Sequence, residues 1–164
     1  MLIIADNRLP EPAKKKLEHY GEPMFLETSG IVYDAISGHP DIFFCQTGEH
    51  LVLAPNLPET YKLIIEEKGI PFVEGELPLG EKYPQTAIYN TVFTSDFLIH
   101  NFRYTDSMIT YAAEERELIH VNQGYARCNL MAIGPHTFIT SDKGIERVLE
   151  NYQVEVLYVD PSEL

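Results

Sequence analysis

The sequence has no apolar run that approaches the roughly 18 residues needed to cross a bilayer, and no basic segment followed by an apolar one near its start. These absences predict a protein without a membrane-spanning helix or a signal peptide. Only two cysteines, Cys45 and Cys128, occur among the 164 residues. Two thiols do not make a disulfide framework, so a reduced, cytoplasmic protein is the simpler expectation.

Positive charge is scarce as well. Twelve lysines and arginines stand against 25 aspartates and glutamates, which gives a formal net charge of −13. Such a surface repels backbone phosphates and anionic lipids, so neither nucleic acid nor a membrane is expected as a partner. A cationic small molecule would instead be attracted. Hydrophobic residues make up 45% of the chain, which is ordinary for a globular domain with a substantial core.

Two common patterns of functional sites are missing. The histidines at positions 50, 100, 120 and 136 lie at predicted strand ends or turns, without the spacing of metal ligands and without a nearby cysteine pair. The segments SGHPD and GELPLG lack the spacing of a glycine-rich phosphate loop. The sequence therefore predicts neither a metal site nor a cofactor.

The chain does contain an internal repeat. The segments that begin at Thr47 and Ile133 share a glycine turn, an apolar strand, a polar break, an amphipathic helix and a second strand, and their glycines, Gly48 and Gly134, are 86 residues apart. A third copy lies between them, and the start of the chain is the end of a fourth. We expect one domain with a partial unit at 1–30 and full units at roughly 31–80, 81–123 and 124–164.

Each full unit predicts the order strand–strand–helix–strand. Pro12, Pro58, Asp106 and Asp142 mark the expected starts of the helices. A single unit of this size cannot bury its own apolar face, so units with such a period pack against one another. We expect an α/β ring with the strands inside and the helices outside. An ordinary open α/β sandwich is the alternative.

Three segments carry a family resemblance: GHPDIFF, YPQTAIYNTVF and VNQGYARCN. Together with the repeat, they resemble the guanidino-group-modifying enzyme superfamily, and the chain as a whole also resembles the uncharacterised DUF6873-type family. The resemblance implies a pentein-like α/β-propeller built from ββαβ repeats, of which this sequence holds about four of five units. An incomplete ring leaves sheet edges free, so we also expect a homo-oligomer that covers them.

The resemblance also implies a function. In deiminases of the superfamily, an HxDxxF segment supplies a catalytic histidine and a substrate-binding aspartate, and a nucleophilic cysteine follows two repeats later. These roles correspond here to His39, Asp41 and Cys128. A carboxylate binds a guanidinium through paired hydrogen bonds, a thiolate attacks the central carbon, and histidine protonates the leaving amine and activates water. The implied protein is a cysteine-dependent hydrolase or transferase acting on a guanidino or amidine small molecule.

The resemblance also implies a further substrate-binding carboxylate, for which the candidates are Asp6, at a predicted strand end, and Asp96, in a turn. Arg127 and Asn129, which flank Cys128, are further candidates for substrate binding. One observation opposes a shared site. If the two glycines are kept in register, Cys128 aligns with Ile42, and on ideal strands that parity directs Cys128 to the face opposite Asp41.

Simpler interpretations remain open. His39 and Asp41 can be turn residues before a strand, and Cys128 a buried small hydrophobe. The protein can then be a non-catalytic binding or assembly module of the same fold, or a truncated, inactive member of the family.

Overall fold

The strands of the protein pair into four small sheets. The structure, a computed structural model, describes residues 1–163. In the partial first unit, β1 (Leu2–Asp6) pairs in parallel with β2 (Glu22–Leu26), and α1 (Glu11–Leu17) connects them.

The other three units are complete. The second contains β3 (Phe44–Gln46), β4 (Leu51–Leu53), α3 (Glu59–Glu67) and β5 (Phe72–Glu74). The third contains β6 (Val92–Phe93), β7 (Phe97–His100), α4 (Ser107–Ala112) and β8 (Glu117–His120). The fourth contains β9 (Leu130–Ala132), β10 (Thr137–Thr140), α6 (Lys143–Leu149) and β11 (Glu155–Tyr158). One-turn helices, α2 (Pro40–Phe43) and α5 (Ala126–Asn129), precede β3 and β9.

The three complete units share one topology. In each, the middle strand pairs antiparallel with the first strand and parallel with the last. The mixed α/β class is therefore confirmed. Within residues 1–163 every strand pairs inside its own sheet, so closure of the units into a ring stays a prediction.

The helices begin where the sequence places their start signals. Asp106 caps α4 by accepting from the backbone N–H of Met108, and Asp142 caps α6 by accepting from those of Gly144 and Ile145. Helix α3 begins directly after Pro58. None of the helices described in residues 1–163 is both long and apolar enough to cross a membrane. A cytoplasmic location stays a prediction.

The segment GHPDIFF does not open directly as a strand. Residues 40–43 form the helical turn α2, and the chain becomes extended only from Phe44. Pro40 occupies the first helical position, where its fixed φ and missing N–H carry no cost. The apolar part is nevertheless core, because Ile42 and Phe43 are fully buried.

The core has two parts that meet at the third sheet. One cluster joins the first three units and includes Leu98, while the other joins the third and fourth units and includes Phe97 and Ile99. Because successive side chains of a strand point to opposite faces, β7 is buried on both sides. This accounts for the continuous apolar run that the sequence has there.

Candidate functional site

Side chains from three units meet at one point, where Asn90 bridges Asp41 and Cys128. The thiol of Cys128 donates to Oδ2 of Asp41 at 2.9 Å. Nδ2 of Asn90 donates to the same Oδ2 at 2.9 Å and lies 3.3 Å from Sγ of Cys128. Oδ1 of Asn90 accepts from the backbone N–H of Cys128 at 3.2 Å. The carboxylate, the amide and the thiol therefore form one hydrogen-bonded cluster.

The cluster is built at the same place in each unit, just before the first strand. Asp41 lies in α2 before β3, Asn90 precedes β6 by two residues, and Cys128 lies in α5 before β9. Asn90 is fully buried, and its backbone carbonyl also accepts from the N–H of Arg127 at 3.2 Å. The main chain and the side chain of Asn90 thus both hold α5 in place.

Cys128 faces Asp41, although the alternation of side chains on ideal strands predicts that the two residues face opposite ways. Cys128 is indeed equivalent to Ile42, because α2 and α5, like β3 and β9, are 86 residues apart. Both residues, however, lie in helical turns rather than strands, so alternation between two faces does not apply. Ile42 is fully buried in the core, whereas its equivalent Cys128 is exposed and donates a hydrogen bond to Asp41.

The Cys128 thiol is protonated at neutral pH. Although Cys128 as a residue is exposed, partial desolvation of its sulfur raises the pKa of Cys128 to about 12, and the hydrogen bond and negative charge of Asp41 act in the same direction. Asn90 and Arg127 oppose this shift. The free site therefore holds a thiol that donates to a carboxylate, not a preformed thiolate.

Cys45 contrasts with Cys128. It is 2% exposed, and its Sγ lies 3.0 Å from the hydroxyl oxygen of Thr91. Burial raises the pKa of Cys45 to about 12 without help from a carboxylate. Cys45 is thus a core thiol, as the apolar run around it predicts.

His39 and Asp6 form a second pair. Nε2 of His39 lies 3.7 Å from Oδ2 of Asp6. Arg8 binds the same carboxylate, with its Nε 3.0 Å from Oδ1 and its Nη2 2.6 Å from Oδ2. These hydrogen bonds hold the pKa of Asp6 below its usual range. A Cβ on Gly38 would lie 2.6 Å from Oδ1 of Asp6, so the glycine permits this close approach. The carboxylate of Asp6 therefore lies beside His39 and is not hydrogen-bonded to the cluster around Asp41.

The pair and the cluster are neighbours in sequence but are not hydrogen-bonded to each other. In the part of the chain that the structure describes, the His39 ring forms no hydrogen bond with Asp41 or Cys128. His39 precedes α2 and Asp41 lies inside it, so the two side chains leave the backbone on either side of Pro40.

Arg127 and Asn129 have different surroundings. Arg127 lines a cavity of about 910 Å³ together with Asp41, and the cavity extends along β3 towards Arg116 and Glu49. Asn129 instead donates to the backbone carbonyl of Tyr125 at 2.8 Å, a bond within its own turn. The structure thus brings Arg127, but not the amide of Asn129, into one cavity with Asp41.

Sequence reasoning missed Asn90, the residue that joins the cluster. A signal was present, since Asn90 is a polar residue in the otherwise apolar stretch AIYNTVF and precedes the first strand of its unit, as Asp41 and Cys128 do. Among residues 1–163 no group of three His, Cys, Asp or Glu side chains is placed to hold a metal ion.

A family model matches residues 4–164 of the sequence; it describes DUF6873, a family of unknown function. The chain belongs to the DUF6873 family. All three residues of the cluster fall inside the matched region, so the site is part of the DUF6873 domain. No curated protein matches the sequence. The family description does not mention guanidino-modifying enzymes, so that resemblance stays a prediction.

Proposed function

We propose that this DUF6873 protein is a cysteine-dependent hydrolase or transferase that acts on the C–N bond of an amidinium or guanidinium compound. The observation that carries the proposal is the 2.9 Å hydrogen bond between the Cys128 thiol and the Asp41 carboxylate. A nucleophile and an anionic acceptor for a planar cation lie side by side, and Asn90 fixes both. The net charge of −13 favours the approach of a cation.

Substrate binding activates the nucleophile in this proposal. A planar cation takes the Asp41 carboxylate as its hydrogen-bond acceptor, and the thiol loses the bond that raises its pKa. The positive charge beside Sγ lowers the pKa of Cys128 further. A thiolate therefore forms when substrate is present, and in this proposal its proton passes to His39. The free enzyme keeps the less reactive thiol.

The reaction then has two steps. Sγ of Cys128 forms a bond to the amidine carbon, the C–N bond breaks, and His39 donates a proton to the leaving amine. Water or an acceptor amine, deprotonated by His39, attacks the carbon of the thiouronium (from a guanidinium) or thioimidate (from an amidinium). The C–S bond breaks, and the proton returns from His39 to Sγ. The Asp6 carboxylate lies 3.7 Å from Nε2 and orients the His39 ring in this proposal.

We propose the α/β-propeller as the fold in which this site lies. Three features support it: complete sheets with one shared topology, a third sheet buried on both faces, and equivalent turns that converge. Convergence of equivalent positions is expected when repeated units are arranged around one axis.

The test is turnover of a panel of guanidino and amidine compounds, followed by release of ammonia or amine. Replacement of Cys128 by Ala removes the nucleophile, so we expect release to fall to the uncatalysed rate. The matched control is Cys45→Ala, which removes a thiol outside the site and leaves release measurable. The proposal is wrong if no panel compound is processed by the wild type, or if Cys128→Ala retains its rate.

A second candidate function is a non-catalytic assembly module. One face of the fourth sheet exposes Met131 and Leu157, each 59% exposed, and Ile139 pairs with both of them in register. Such a row on an outer sheet face fits burial against a second copy of the chain. This proposal therefore includes a homo-oligomer, in which one copy of the chain covers the free sheet edges of another.

Sedimentation velocity distinguishes this candidate. We expect the wild type to sediment as a dimer or larger, and the double variant Met131→Lys/Leu157→Lys as a monomer, because buried lysines oppose association. The control Leu63→Lys places the same charge at an exposed leucine on α3. A monomeric wild type at micromolar concentration contradicts the module.

A further inference from the structure

Four tyrosines lie together beside the turn that carries Cys128. The ring of Tyr83 packs edge-to-face on Tyr104, with centroids 5.5 Å apart, and lies 5.9 Å from the ring of Tyr125. The Tyr33 side chain lies close to the hydroxyl of Tyr125. These four residues come from four different loops, and we call them the tyrosine wall. Offset and edge-to-face contacts of this kind are favourable arrangements of aromatic rings.

The wall is fixed close to the nucleophile. Tyr125 directly precedes α5, three residues before Cys128, and its hydroxyl bonds to that of Thr86. Burial raises the pKa of Tyr125 to about 12, and the proximity of Tyr33 and Cys128 adds to the shift. The wall is thus attached, through Tyr125, to the start of the turn that carries Cys128.

The loop that ends at Tyr125 is held in place by a buried histidine. The buried His100 donates from Nε2 to the carbonyl of Gly124 at 2.8 Å, and burial lowers the pKa of His100 to about 4, so the ring stays neutral. A Cβ on Gly124 would lie 2.7 Å from the Tyr83 ring. The glycine thus lets Tyr83 pack directly on the loop before Cys128.

Two rings of the wall face solvent: Tyr33 is 44% exposed and Tyr83 is 49% exposed. Packing within the fold does not require such exposure of large aromatic side chains beside a nucleophile. Aromatic faces attract cations through the ring quadrupole, and they bury aryl and alkyl groups. Because Tyr125 lies three residues before Cys128, a ligand whose cationic head lies beside the thiol and Asp41 can bring its substituent onto these rings.

We infer that the tyrosine wall selects substrates whose amidinium or guanidinium head carries an aryl or bulky apolar substituent. The inference rests on the proposed function, because it takes Asp41 as the anchor of the cationic head. It adds the class of substituent, which the Asp41–Cys128 cluster alone does not specify.

Calorimetric titration of the full chain with two matched probes tests the inference. Benzamidinium and acetamidinium share the cationic head and differ in an aryl or a methyl group. We expect benzamidinium to bind about tenfold more tightly. Tyr83→Leu should weaken benzamidinium about fivefold and leave acetamidinium unchanged, because only the aryl group contacts the ring.

Three controls separate the possible causes. Tyr83→Phe keeps the ring and should keep the preference, and Tyr33→Leu tests the wall at a second position. Tyr111→Leu changes a tyrosine that is 79% exposed on α4, outside the wall, and should have no effect. Unchanged circular dichroism and urea midpoints show that each variant is folded.

The outcomes distinguish the inference from the proposed function. If both leucine variants keep the wild-type ratio of the two affinities, the inference is overturned and the cation site stands. Asp41→Asn should weaken both probes alike, and no effect of that variant contradicts the proposed function. If the wild type binds neither probe, both are overturned.

Discussion

The one-turn helices α2 and α5 have the same length and the same place before a first strand, yet they carry different side chains. At the third position of the turn, Ile42 is fully buried in the core and Cys128 is exposed beside Asp41. At the second position, Asp41 is acidic and Arg127 basic, and both line one cavity. The repeat therefore supplies the geometry, and divergence between its copies supplies the chemistry.

The largest expected effect comes from truncating the two equivalent positions. Ile42→Ala should lower the free energy of unfolding by about 2–5 kcal/mol, because it leaves a cavity in a packed core. Cys128→Ala should change it by less than about 1 kcal/mol, because the side chain is exposed. Urea unfolding followed by circular dichroism measures both. Equal losses would mean that the two turns are not packed differently.

A smaller loss of stability is expected from the residue that joins the two turns. Asn90→Ala removes the hydrogen bonds to Asp41 and Cys128, and it leaves the backbone N–H of Cys128 without its partner. We expect the free energy of unfolding to fall by about 2 kcal/mol. Asn129→Ala removes a single bond within one turn and should cost about 1 kcal/mol or less. An Asn90 variant as stable as the Asn129 variant would show that the bridge does not matter.

The smallest effect concerns the two thiols. Asp41 raises the pKa of Cys128, so Asp41→Asn should lower that pKa and increase the thiolate fraction at any pH below it. Each unit by which the pKa falls raises the thiolate fraction about tenfold. Alkylation by iodoacetamide should become only about threefold faster per unit, because a less basic thiolate is also less nucleophilic. The rate should rise with pH from 7 to 10 in both proteins.

Cys45 provides the internal reference for this experiment. Burial alone raises its pKa, so its slow alkylation should be the same with and without Asp41→Asn. Mass spectrometry of the labelled peptides separates the two sites. An equal acceleration at Cys45 would indicate loosening of the fold, and no acceleration at Cys128 would show that Asp41 does not control the thiol.

Much of the fold was predictable because it depends on local patterns. The apolar run FLIH predicts the strand Phe97–His100, and Asp106 and Asp142 predict helix starts that the structure confirms. Glycines at an offset of 86 residues reveal equivalent units, since each copy repeats the same local signals. The turns α2 and α5 were missed, because a four-residue helix has too few positions to show a period of 3.6.

The site was only partly predictable, for a related reason. Asp41 and Cys128 stand out as ionisable or nucleophilic residues at repeat boundaries. The position of Asp6 does not, because its carboxylate is bound by Arg8, two residues away, and lies beside His39. Asn90 is an ordinary polar residue until its four contacts to two other units are known. Sequence spacing does not encode such contacts between distant loops.

The sequence by itself determined the α/β class, the repeat and the residue types at each repeat boundary, because propensity, capping and hydrophobic period act over a few neighbouring residues. The tertiary structure alone decided that Cys128 donates to Asp41 rather than facing away, and that His39 lies beside Asp6. Those contacts join residues far apart in the chain. They depend on how the units pack and on helical turns that reset the direction of each side chain.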